Sequence, residues 1–415
     1  MDSPANNKTS FFNKILPDII ALLFLIATGW KLLYGVGARL DLPLNDEAFY
    51  IYRGLRIPFT GWHNSDWGML YSLWYWFLSL FISDTAQLFY LNFKITAVIP
   101  PLLFYILLRK NKVQAVTALL ISWMLMISLG NLMTIPRVTH LALILLIVPL
   151  FFINPEKKML VSGWFLIIFL LFASYIRPEF MLAAILAVGF MGYHTIRKYK
   201  LYSPGLLITG WLVVTLIIIA LAYFFRLPWL MDQSHRGYFA LCQHFSYNYA
   251  AWHPWTVNSW YQSPEIIYKV FGPANSYGDL IIGNPVMLLK HICFNCFIFV
   301  KNIFGITFIH NNLILSGDTR LKMYIEGAMM FVGFVAWIIW TSINNRDLIK
   351  RNFKTNRKLF LLFLFIGLPA VFGSIIIYPR WHYMIVVIYF LLAFVSILIF
   401  SRNKKNMDIR SLLLH

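Results

Sequence analysis

The chain has 415 residues, 60% of them hydrophobic and 12% charged, with a mean hydropathy of +0.69. A soluble domain carries about 25% charged residues, so an ordinary water-soluble enzyme is excluded. The net charge of +19 raises nucleic acid as a partner, yet the basic residues gather in short loops between apolar runs. That is the arrangement of topology signals and lipid-headgroup contacts, and no nucleic acid is expected.

Apolar runs of about 17–25 residues have the length an α-helix needs to cross ~30 Å of hydrocarbon. They predict an all-α polytopic membrane protein, a single membrane-embedded domain over 1–415. The first run, 15–37, follows Lys8 and Lys14. It resembles a signal sequence but is too long and lacks a small-x-small cleavage site, so an uncleaved span is expected. Directly after it stands Leu42-Pro43-Leu44-Asn45-Asp46-Glu47-Ala48-Phe49-Tyr50. Pro43 ends the first helix, and Asn45 or Asp46 caps a new one. On that helix Asp46, Tyr50 and Arg53 share one face at i, i+4 and i+7. A carboxylate held at headgroup level by rigid elements suits a general base toward a hydroxyl; the plainer reading is that Asp46 only caps the helix. The aromatic stretch 67–83, WGMLYSLWYWFLSLFIS, has the composition of a segment lying in the interface. With it the first outer loop, 38–85, is complete.

The next spans are predicted at 86–108, 113–130, 137–153, 159–175, 178–195 and 205–225. Lys94 lies about eight residues, ~12 Å of helix, inside the first of these, where an ionised group is a functional candidate. Arg137 follows Pro136 in GNLMTIPRVTH, which also brings His140, and Arg177 sits in the turn SYIRPEF. A large outer loop, 226–320, carries Tyr247, Tyr249, Trp252, Trp255, Trp260 and Tyr261, suited to an interfacial belt or to a sugar ring. Within it 281–304, IIGNPVMLLKHICFNCFIFVKNIF, mixes apolar residues with Lys, His and Asn and is read as interfacial. Its Cys293 and Cys296 have no second pair and are read as packing residues. Spans at 321–343, 359–378 and 381–400 close the chain, with Arg380 in YPRWHY at the last outward turn.

Charge sets the orientation. With a cytoplasmic N-terminus and strict alternation, the inside segments carry more than half of the 35 Lys and Arg, as the positive-inside rule requires. Ten spans with both termini cytoplasmic is the self-consistent count, twelve the alternative. Most acidic residues and histidines then fall outside, so chemistry is sought at the outer face. His63, His140, His235, His244 and His253 show no H-x-x-x-H spacing, which argues against a dedicated zinc site. Neither G-x-x-x-x-G-K-[ST] nor G-x-G-x-x-G occurs, and the cytoplasmic loops are too short to fold around a nucleotide, so an enzyme of this kind takes its activated group from a lipid. Several cations converging from separate spans, Lys94, Arg137, Arg177 and Arg380, suit an anionic phosphate.

This layout resembles the GT-C superfamily of polytopic glycosyltransferases, near the bacterial members related to protein mannosyltransferases and the aminoarabinose transferase of lipid A. The likeness rests on Asp46-Glu47 right after the first span, on the aromatic GMLYSLWYWFLSLFISD, on Lys94 in LNFKITAVIPPLLFYILLRK, and on Arg177-Pro178-Glu179 and Arg380 at later turns. It implies a plasma (inner) membrane enzyme whose active site faces the periplasm or exterior. The donor would be a polyprenyl-phosphate sugar and the acceptor a lipid, glycan or protein. Asp46 would be the base, and Glu47 would support it or help bind a divalent cation such as Mg or Mn. Lys94, Arg177 and Arg380, with Arg137 beside them, would stabilise charge on the departing phosphate. Two other classes compete. A polysaccharide polymerase or ligase relies on loop arginines and histidines rather than a carboxylate after the first span. A transporter or lipid flippase predicts internal repeats and polar breaks near the midplane, which the sequence lacks.

Overall fold

In a bilayer every backbone polar group needs a partner within the protein, which leaves helices as the element for long apolar runs. The computed structural model describes residues 5–39, 44, 46–61, 68–153, 160–198, 200, 202–225, 236–253, 258–309 and 320–402. Pro43, Asn45, His63, His235 and Trp255, singled out above, lie outside the described residues. The elements run in order as α1 (Ala5–Leu33), α2 (Val36–Arg39), α3 (Asp46–Thr60), α4 (Met69–Ser79), α5 (Thr85–Lys110), α6 (Ala115–Ile127) and α7 (Val138–Ile147), which continues as one 3-10 turn, Val148–Phe151. There follow α8 (Leu160–Ser174), α9 (Phe180–Lys198), α10 (Pro204–Phe225), α11 (Arg236–Trp252), α12 (Ser263–Phe271), α13 (Tyr277–Gly283) and α14 (Pro285–Phe308). The last three are α15 (Arg320–Asn344), α16 (Arg346–Ile376) and α17 (Trp381–Phe400).

Among the described residues eight helices are long and apolar enough to cross a membrane. Three predicted spans are shorter apolar helices instead: α6, α7 with its 3-10 turn, and α8. The reason is visible between α6 and α7. Irregular backbone is tolerated at membrane depth where protein covers it, and Ser128, Asn131 and Leu132 of this connection are buried. Its polar groups are met by Leu129 N–H to Ile309 O at 2.7 Å and Gly130 N–H to Ile306 O at 3.1 Å.

Hydrogen bonds sort the helix ends onto two faces. On one, Ser401 Oγ donates to Asn111 O at 2.7 Å, Arg402 N–H to Lys112 O at 3.0 Å, and Lys110 Nζ to Leu150 O at 2.8 Å. On the other stand α3, α4, the α6–α7 connection, the α8–α9 turn and the α16–α17 turn, joined in part by Leu70 N–H to Tyr175 O at 3.2 Å. α4 is 11 residues, about 16 Å, half the hydrocarbon thickness. α14 is 24 residues with a span-like hydropathy of 1.5, more span-like than the interfacial reading of 281–304 implies. Its bonds nevertheless stay at one face. His291 and Asn295 reach the carbonyls of Ile376 and Ile375 at 3.2 and 2.9 Å, Asn302 reaches Pro379 O at 3.0 Å, and Ile306 meets Gly130. From 291 to 306 is ~22 Å of helix, and its far end packs Phe304 and Phe308 against Phe331 in the middle of α15. A small core of its own, built on Leu241, Phe245, Ile266, Ile267, Phe271 and Leu280, knits α11–α13 above it.

Candidate functional site

The site is built from the end of α3 inward. Helix α3 approaches α4 at Gly54, where an added Cβ would lie 2.5 Å from Ser72 O. That contact brings Tyr71 and Tyr75, one turn apart on α4, under Glu47. Glu47 is fully buried. Tyr71 Oη donates to both carboxylate oxygens at 3.0 Å, Tyr75 Oη to Oε2 at 2.9 Å, and Arg137 N–H to Oε1. Behind the two hydroxyls, Asn92 of α5 donates Nδ2–H to Tyr71 Oη at 2.8 Å and Tyr75 Oη at 2.9 Å, while Trp74 Nε1 donates to Asn92 Oδ1 at 2.9 Å. Burial pushes the Glu47 carboxyl above its ordinary range, opposed by the Arg137 N–H, the Tyr75 and Tyr71 hydroxyls and the Arg137 charge.

Arg137 is also fully buried. Its Nε donates to Thr96 Oγ1 at 3.0 Å and Nη1 to Asn131 O and Met133 O at 2.7 Å, and the guanidinium lies 4.9 Å over the Phe93 ring. His140, one turn into α7, bonds Gly130 O through Nε2 at 3.0 Å. These contacts lock Arg137 inside the protein, which is not where a phosphate-binding arginine was expected. Asp46, by contrast, heads α3 half-buried, and no cation pairs with it among the described residues. Tyr50 is buried edge-on to Tyr71 at 4.8 Å, and Arg53 is half-buried on the same helix.

The remaining cations divide. Lys94 is exposed and does not join the cluster: at 100° per residue it stands about 200° from both Asn92 and Thr96, which face inward. Arg177 bonds Glu179, Nη2 to Oε1 at 2.6 Å and Nε to Oε1 at 2.8 Å, with its guanidinium 4.3 Å over Tyr383. Burial works against the Arg177 cation, but Glu179 and Tyr383 raise it further, so the charge is permanent. Arg380 donates Nε–H to His244 Nε2 at 2.7 Å beneath Trp260, 5.8 Å from its ring. His382, buried at the start of α17, lies within electrostatic reach of Arg177, Arg380, His140 and His244, so the two arginine turns and the α7 end face one another.

A metal ion on Asp46 and Glu47 does not fit this chemistry. Both oxygens of Glu47 already accept from phenols and an N–H, its neighbours are donors rather than ligands, and among the described residues no three His, Cys, Asp or Glu gather. Sequence reasoning missed Tyr71, Tyr75, Asn92, Thr96 and the pairing of His244 with Arg380. Two signals were readable: Tyr71 with Tyr75, and Asn92 with Thr96, are i, i+4 polar pairs in apolar helices, which places each pair on one face. The pairing of His244 with Arg380 leaves no trace in either segment.

Fold and site together define an all-α, multi-pass membrane protein, with Glu47, Arg137, Arg177 and Arg380 at one end of the helix bundle. Compared with known protein families, with curated proteins and with solved structures, the chain finds no significant match. Its chemistry is therefore argued from this geometry.

Proposed function

We propose that the protein is a glycosyltransferase that moves a sugar from a polyprenyl-phosphate donor to a hydroxyl of a lipid, glycan or protein acceptor at the outer face of the plasma membrane. In this reading ten spans cross the membrane, both termini are cytoplasmic, and α3, α4 and α11–α14 lie at the periplasmic or exterior interface. A polyprenyl tail stabilises its anchorage by about 0.8 kcal/mol per buried CH₂, so the catalyst has to meet the phosphate at the membrane surface. Asp46 takes the acceptor proton, the acceptor oxygen bonds to the sugar, and the sugar–phosphate bond breaks as polyprenyl phosphate leaves. Glu47 holds the helix that presents Asp46, and Arg380 and Arg177 receive the phosphate side.

The observation that carries this reading is the separation of roles within the acidic pair. One carboxylate is buried and fully bonded, its neighbour is accessible at the helix start, and the arginine turns stand at the same end of the bundle. The test is incubation of purified protein with a panel of polyprenyl-phosphate sugars, wild type beside Asp46→Asn. Free polyprenyl phosphate is expected to accumulate with wild type alone. Equal release by both proteins removes Asp46 from the mechanism, and release by neither across the panel removes the donor class.

A further inference from the structure

Of the cations expected to meet a phosphate, Arg137 is buried with its guanidinium held by Thr96, Asn131 O and Met133 O, Arg177 is paired with Glu179, and Lys94 faces away from both. Arg380 differs. Its partner is an imidazole, and among the described residues its two terminal nitrogens donate no hydrogen bond. We propose that His244 is a positioning residue: it holds the Arg380 guanidinium by Nε so that the free Nη1–Nη2 edge faces the phosphate of a lipid-linked donor. This rests on the proposed function and adds a residue from the large outer loop to it.

Three observations support the assignment. The hydrogen bonds fix the tautomer: Nδ1–H of His244 donates to Ala240 O at 2.5 Å, which leaves Nε2 with a lone pair to accept from Arg380 Nε–H. Burial, followed by the Arg380 charge, lowers His244 to about 3, so the acceptor state persists throughout the physiological range. The ring is held in place by Tyr378 stacked at 5.3 Å, Trp260 edge-on at 5.7 Å and Tyr247 at 5.9 Å. One turn further along α11, Asn248 Nδ2 donates to His291 Nδ1 and Asn295 Oδ1, both at 2.8 Å. Those two α14 side chains cap the carbonyls of Ile375, Ile376 and Ile377 just before the Arg380 turn. The same two helices thus fix both the imidazole and the turn that carries the arginine. A carboxylate in the place of His244 would hold Arg380 as firmly, but it would cancel the charge a phosphate needs. A neutral imidazole orients the fork and leaves the full positive charge for the ligand.

The experiment measures binding of farnesyl phosphate, a short-chain probe, to the purified full chain in phosphatidylcholine nanodiscs. His244→Phe keeps the ring and removes the acceptor, His244→Gln restores an acceptor at the position of Nε2, and Arg380→Lys keeps the charge without an Nε–H to be held. Binding is expected to weaken about tenfold or more in His244→Phe and Arg380→Lys, and to return to within about threefold of wild type in His244→Gln, the scale of one hydrogen bond to a charged group. Arg380→Lys keeps a cation at a half-buried turn and gives a reading even where His244→Phe does not fold. Wild-type affinity in Arg380→Lys, or failure of His244→Gln to exceed His244→Phe, overturns the positioning role while loss of binding in Arg380→Ala leaves the phosphate site intact. Unchanged affinity in Arg380→Ala overturns both.

Discussion

Replacing Glu47 by Gln tests whether this carboxylate is structural. Glu47 offers two acceptor oxygens to three donors, the Tyr71 and Tyr75 hydroxyls and the Arg137 N–H. Gln offers one. With its oxygen at the Oε1 position it serves Arg137 and Tyr71, and its amide N–H₂ then faces the Tyr75 hydroxyl. Tyr75 already accepts from Asn92 at 2.9 Å, so its own proton loses its acceptor, at about 1–3 kcal/mol for a buried orphan. The Arg137 guanidinium bonds Thr96, Asn131 and Met133 rather than Glu47, so those bonds are kept. A loss of about 1–3 kcal/mol is therefore expected in SDS-titration unfolding of the purified protein. Asp46→Asn, half-buried and without a cationic partner among the described residues, is expected within about 0.5 kcal/mol of wild type while transfer activity disappears. A Glu47→Gln protein as stable as wild type would falsify the anchoring role and return Glu47 to the list of reacting groups.

Three further outcomes are expected. The His244 pKa in the folded protein is about 3, below the ~6.5 of a free imidazole, so the unfolded chain binds more protons between these values and stability falls as pH drops through that window. The groups facing it are Arg380, Tyr247, Tyr378 and Trp260, with His291 and His382 within electrostatic reach. From pH 6.5 to 5 the loss is about 2 kcal/mol, and His244→Gln is expected to remove that share of the slope; an unchanged slope refutes it. Gly54→Ala drives a Cβ to 2.5 Å from Ser72 O and 3.0 Å from Trp76 N, backbone atoms that cannot yield, so a loss of about 1–3 kcal/mol is expected, with a parallel fall in turnover as α3 shifts. In a background without native cysteines, Asn111→Cys and Asn345→Cys are expected to label from the cytoplasmic side and Tyr261→Cys, 81% exposed in wild type, from outside. Labelling of 111 or 345 from outside defeats the proposed topology.

How much of this was legible in the sequence varies by residue. The apolar runs marked nearly every long helix, because span length is a property of the bilayer. The acidic pair was also legible, but not its division: Asp46 and Glu47 differ by 100° of helix rotation. Which of them is buried depends on α4 docking at Gly54 and on Arg137, 90 positions away. Arg137 looked like a surface cation because it follows Pro136 at a span start. What buries it is the folded connection 128–137, whose Asn131 and Met133 carbonyls take Nη1. Lys94 was placed with the cations on depth alone, whereas the polar pair Asn92 and Thr96 on the same helix already pointed to a different face.

Helix α14 joins a span-like length and hydropathy to a polar stripe that serves the site. Helix α16 ends at the α16–α17 turn, and the last carbonyls of any helix lack intrahelical partners, a cost of several kcal/mol each where water is scarce. His291, Asn295 and Asn302, at i, i+4 and i+11, fall on one face of α14 and supply donors to the carbonyls of 375–379. α14 delivers all three along about 16 Å of its own length to the same turn. Its remaining faces stay apolar and exposed, with Val286, Leu289, Phe297 and Val300 all more than half exposed, and they need lipid rather than water. The apolar character that makes α14 resemble a span also suits the interfacial placement proposed for it. Any reading of Arg380 as a ligand for a lipid-borne phosphate inherits this cap, because His291, Asn295 and Asn302 supply the side-chain donors to the carbonyls of Ile375, Ile376, Ile377 and Pro379 just before it.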